Sequence, residues 1–141
     1  MTRLCVALAL VAGCHDAAPW PPVPTSVALG EDACAGCLMI TSDARFGAQL
    51  HDRQGGVQQF DDLGCWQKAV AGTHPELVAS FLRSFPEGAW IRADRAFVVR
   101  SAELHSPMGS GLAAFATREA AAAFAQRHAG AAVLSPNELI Q

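Results

Sequence analysis

Cys34-Ala35-Gly36-Cys37-Leu38-Met39 sets two thiols and a thioether within six consecutive positions. A C-x-x-C pair alone fits a structural disulfide, a redox pair or half of a metal site. Redox pairs of the thioredoxin type open a helix inside a βαβ unit, whereas this pair follows a proline-rich stretch. Zinc asks for four ligands, and neither a second C-x-x-C nor a spaced histidine pair is present. Met39 shifts the balance, because thioether suits Cu(I), a soft ion, far better than zinc. A second thioether, Met108, stands in Pro107-Met108-Gly109 between Ser106 and Ser110. Methionine usually fills gaps in a core, but a proline–glycine loop is seldom deep core, so packing and ligand roles both fit.

The other reactive side chains read more plainly. Cys65, in Asp62-Leu63-Gly64-Cys65-Trp66, suits a small buried packing cysteine better than a third thiolate ligand. His105, near the methionine loop, can offer a nitrogen ligand, while His15, His51, His74 and His128 lack partners at metal spacing. Asp61 and Asp62 can form an acid pair, but capping a following helix accounts for both. No G-x-S-x-G, P-loop, H-E-x-x-H or dinucleotide fingerprint occurs, so the expectation is a protein that is not an enzyme.

The N-terminus supplies an address. Arg3 precedes an apolar run from Leu4 to Ala12, a secretory-signal pattern too short to span a membrane. It ends in Val11-Ala12-Gly13-Cys14, which looks like a bacterial lipobox cut just before Cys14. Residues 1–13 are then a signal peptide, Cys14 is acylated, and residues 14–32 form a tether. Four prolines between Pro19 and Pro24 favour extended polyproline II there. Cleavage removes Cys5, leaving Cys34, Cys37 and Cys65 as three thiols in an oxidising compartment.

Residues 33–141 suit a single domain. A formal charge of −3, with Lys68 the only lysine, argues against nucleic-acid binding. Alternation predicts strands at 46–51 and 57–60 around the Arg53-Gln54-Gly55-Gly56 turn. A helix is expected over 63–71. A second is expected after His74, with Pro75 in its first turn and Leu77, Val78, Phe81 and Leu82 as its stripe. Further strands are expected at 89–93, 96–100, 112–116 and 131–134, with a helix capped by Thr117 and running to about His128. The order implies an α+β fold of two similar ββα or ββαβ modules, with Met39 and Met108 at related positions facing one another.

Taken together, these segments resemble the NosL family of copper-binding accessory lipoproteins for nitrous oxide reductase. The likeness runs over roughly residues 34–139. It rests on the lipobox, Cys34 to Met39, Phe60-Asp61-Asp62-Leu63-Gly64-Cys65, Ala89-Trp90-Ile91-Arg92-Ala93 with Ala96-Phe97-Val98-Val99, and Ser106 to Phe115. The resemblance implies a MerB-like fold and a periplasmic protein anchored to the outer or cytoplasmic membrane. It also implies one bound Cu(I) and, as partner, nitrous oxide reductase or its maturation transporter. Its metal ligands would be Cys37, Met39 and Met108, with Cys34 next. Family members commonly place glycine where this chain has Leu38; a bulky residue there restricts the loop, which leaves open a divergent relative serving another copper enzyme. Two other functions stay open: a thiol-dependent enzyme of MerB-like fold using Cys34, Cys37 or Cys65 with Asp61 or Asp62, and a structural lipoprotein with a Cys34–Cys37 disulfide.

Overall fold

The computed structural model describes residues 20–74 and 78–140. The signal peptide, the cleavage site at Cys14 and His15 lie outside them, as do Pro75 and Leu77.

The first module runs β1 (Ala48–Asp52), β2 (Val57–Phe60), α1 (Leu63–Val70), β3 (Val78–Arg83) and β4 (Trp90–Arg92). Its sheet has the order β2-β1-β3-β4, every pair antiparallel. The second runs β5 (Phe97–Arg100), β6 (Leu112–Phe115), α2 (Arg118–Gln126) and β7 (Ala132–Leu134), with sheet order β6-β5-β7, also antiparallel. A short helix, α3 (Pro136–Ile140), closes the chain; the sequence had not suggested it. In each module the first strand sits between the second and third, so the repeat is ββαβ on ββαβ. A parallel bridge between Ser84 and Ala114 joins the two sheets.

This pairing equates β1 with β5, β2 with β6 and α1 with α2. Met39 precedes β1, whereas Met108 lies in the loop between β5 and β6. The two methionines are therefore not at related positions, because the apparent repeat in the sequence was out of phase by one strand.

The expected second helix is also corrected: residues 78–83 form β3, paired with both β1 and β4. A strand covered on both faces loses its polar alternation, and the apolar spacing of Val78, Phe81 and Leu82 then imitates a helical stripe.

α1 is the central layer. Leu63, Trp66 and Val70 pack with Leu50, Phe60 and Leu82 of the first sheet and with Val98, Leu112 and Ala114 of the second. Val99, Ala113 and Phe115, one position out of phase, face a second core beneath Ala121 and Phe124 of α2. On the first sheet Gln49 is buried against Thr25. Its amide donates to the Thr25 carbonyl at 3.0 Å, and its Oε1 accepts from the Thr25 N–H at 2.9 Å. The later part of the expected tether thus lies against the domain. No described helix is long and apolar enough to cross a membrane.

Candidate metal centre

Three segments meet at the N-terminal end of α1. Asp62 is its N-cap, accepting from the Gly64 N–H at 2.6 Å. This order sets Cys65 at the third helical position, on the side that faces the Cys34–Met39 loop. Asp61, expected as a second cap, turns the other way and accepts from the Ser42 N–H at 2.9 Å and its hydroxyl at 3.2 Å.

The Cys34–Met39 loop is a closed tip. An Ala33–Ile40 bridge forms its base, the Cys34 N–H donates to the Met39 carbonyl at 2.8 Å, and the Leu38 N–H donates to the Cys34 carbonyl at 2.8 Å. The Ala35 N–H fixes the tip to β2 through the Gln59 carbonyl at 2.7 Å. Gly36 presses on α1: a Cβ built there would stand 3.1 Å from the Cys65 Cβ. Even a methyl group at this position would require Cys65 to give way by a few tenths of an ångström.

The consequence is a thiol triad. The sulfurs of Cys34, Cys37 and Cys65 all lie within 4.8 Å of one another, and all three are free thiols. Metal–thiolate bonds of about 2.3 Å place sulfurs roughly 4 Å apart around one ion, so small adjustments close the site. Among the described residues this is the one grouping of His, Cys, Asp and Glu suited to a metal ion. Cys65 is buried, as expected for a packing role, yet its sulfur belongs to the cluster. The sequence offers one weak signal for this: a cysteine on the first turn of a helix with an acidic N-cap.

The thiols are electrostatically unequal. Burial raises the Cys34 pKa, but hydrogen bonds from the backbone N–H groups of Asp61, Cys37 and Gly36, and from the Cys37 thiol, outweigh it and leave it below the ordinary value. Burial pushes Cys65 up to about 12, and the adjacent Cys34 charge adds to that rise. Within the cluster Cys34 is thus the thiol shifted towards the thiolate, and Cys65 the one held towards its protonated form.

The loop carrying Met108 joins α1 from the second module. Buried Asp62 accepts from the Ser106 hydroxyl at 2.6 Å and from the Met108 N–H at 3.0 Å. Gly64 admits this loop, since a Cβ there would fall 2.7 Å from the Ser110 Cβ. Burial opposes ionisation of Asp62, but its hydrogen bonds, chiefly from Ser106 and Ser110, prevail and hold the carboxyl below the usual range. Met39 and Met108 are 57% and 45% exposed, so both side chains are open to solvent.

Leu38 adopts φ +64°, the left-handed conformation that glycine takes freely, with its side chain 78% exposed. The loop geometry is kept at the expense of strain of about 1–2 kcal/mol. Leu38→Gly is therefore expected to stabilise the protein by about 0.5–1 kcal/mol, after allowing for the extra backbone entropy glycine brings to the unfolded chain. Thermal unfolding checks this, and a lower Tm would contradict it.

The remaining candidates stand apart from the triad. His105 is exposed and outside the thiol cluster. His51 is buried against Phe81 and lies 3.0 Å from Gln49, whereas His128 stacks on Phe124 and pairs with Glu103. His74 is exposed.

Fold and site together define a two-module α+β domain with a soft-donor cluster at the junction of its modules. A family model described as NosL matches residues 27–141, and the chain belongs to the NosL family. Among solved structures it is similar to the copper chaperone NosL from Shewanella denitrificans. That match has a TM-score of 0.70 at 17% identity, covering 85% of this chain and 98% of the other. At that identity the likeness concerns the fold. No curated protein matches the sequence.

Proposed function

We propose that this chain is an exported, lipid-anchored Cu(I) chaperone that supplies copper for maturation of nitrous oxide reductase. The mutual approach of the Cys34, Cys37 and Cys65 sulfurs within 4.8 Å carries the proposal. Family membership and a copper-chaperone structural neighbour support it. Copper is cargo here. Cys34 and Cys37 hold it, Cys65 supplies a third thiolate, and Met39 and Met108 receive it at the exposed rim. Sulfur donors without a hard oxygen favour the monovalent ion. Exchange is associative: a partner thiolate or thioether attaches to copper before a protein sulfur leaves. A lipid at Cys14 and the proline-rich segment behind it would hold the domain near a membrane-bound partner, nitrous oxide reductase's maturation transporter or the enzyme itself.

Anaerobic titration with Cu(I) against a competing chelator tests the cargo. The expected result is one copper per chain, with affinity lowered in the Cys37→Ser, Met39→Leu double variant. Unchanged affinity in that variant contradicts the site.

A further inference from the structure

Beside Cys65 of the triad lies an open groove of about 350 Å3, lined by no residue of the Cys34–Met39 tip. Cys65 and Met108 line it, and so do two cations, Lys68 and Arg100. Lys68 is one helical turn on from Cys65. Arg100 ends β5 opposite Leu112, which also lines the groove. Both cations are exposed, and neither has a carboxylate partner among the described residues. Asp62, the one acid in the lining, has its oxygens taken up by Gly64, Ser106 and Met108. In a chain of net charge −3, whose only lysine is Lys68, two unpaired cations beside a thiol are a local reversal of sign.

We propose that this groove binds a small thiol bearing carboxylates, seating its acid groups on Lys68 and Arg100 and its sulfur toward Cys65 and Met108. The volume fits a small molecule, and the soft donors and cations that share the lining match the two kinds of group such a ligand carries. This rests on the copper reading of the triad and names the form in which copper is exchanged there. A Cu(I) bis-thiolate is an anion, and the cations offset its charge. Each transfer replaces one Cu–S bond by another. The protein thiolate attaches, the carrier thiolate leaves with the proton that the protein thiol gives up, and copper stays monovalent throughout.

The test compares Cu(I) delivered anaerobically to the mature protein by mercaptosuccinate, a dicarboxylate, and by thioglycerol, which is neutral. Lys68→Gln with Arg100→Gln is expected to slow uptake from mercaptosuccinate about tenfold, and added salt to do the same to the parent protein. Uptake from thioglycerol should change in neither case. Equal behaviour of the two carriers overturns the proposal. A second arm omits copper: S-methyl mercaptosuccinate should shift the amide resonances of Gly64, Gly109 and Leu112 in the parent but not in the double variant. No shift there also overturns the proposal, as does a shift produced only by an acidic peptide. Retained shifts with no copper uptake from either carrier would overturn the copper reading and leave the anion site standing.

Discussion

Cys65→Ser is expected to weaken Cu(I) binding on the order of 100-fold while leaving the fold intact. Structural four-ligand metal sites are worth about 10–16 kcal/mol, so each ligand accounts for roughly 3 kcal/mol or more, and 1.4 kcal/mol is a tenfold change. Serine keeps the shape of the side chain against Gly36 but offers a hard, protonated oxygen that Cu(I) does not favour. The pH profile separates loss of a ligand from loss of packing. The Cys65 pKa is pushed up to about 12, so at neutral pH the thiol must give up its proton to bind metal. Parental affinity should therefore rise with pH, and Cys65→Ser should remove about one proton, roughly tenfold per pH unit, from that slope. A competition titration at several pH values checks both effects. An unchanged slope in the variant would show that Cys65 does not ligate.

Asp62→Ala should be the most destabilising single change near the site. The buried carboxylate caps α1 through Gly64 and accepts from Ser106 and Met108 across the two modules. Losing the cap costs about 1 kcal/mol, and losing hydrogen bonds to a charged group costs about 1.5–3 kcal/mol more. A total of about 3 kcal/mol corresponds to a fall in Tm of roughly 10 °C for a domain of this size. The Asp62 carboxyl sits below its usual range, so its stabilisation is complete above the unfolded carboxylate pKa, about 3.9, and disappears as pH falls through the lower folded value. The stability gap between parent and variant should close in acid. Asp62→Asn keeps an acceptor for the cap but hydrogen-bonds more weakly to Ser106. It should retain copper affinity while altering the rate of exchange through the Met108 loop. A gap that persists unchanged in acid would show that the charge is not what joins the modules.

Much of this architecture was legible in the sequence where one local signal dominated. The β1–β2 hairpin follows from Gly55 and Gly56, and α1 from the Asp62 cap. α2 follows from Thr117, whose hydroxyl accepts from the Ala120 N–H at 3.1 Å. The sequence misled where burial erased periodicity, as in β3, and where a repeat had to be phased without knowing which strand is central. The C-x-x-C tip was visible because its thiols are close in sequence. Cys65 reads as a packing residue in the sequence, because its approach to the other two sulfurs depends on contact between Gly36 and the first turn of α1, a pairing that only the tertiary fold creates. Leu38 shows the converse: a residue foreseen to disturb the tip instead accepts the glycine-like conformation with its side chain in solvent.

The most direct test of the copper site is copper K-edge X-ray absorption on the mature protein loaded anaerobically with one equivalent of Cu(I). The account predicts a monovalent edge and a first shell of two or three sulfurs, lost when Cys34, Cys37 and Cys65 are all replaced by serine. A shell dominated by nitrogen or oxygen, or one that survives the triple replacement, would contradict it.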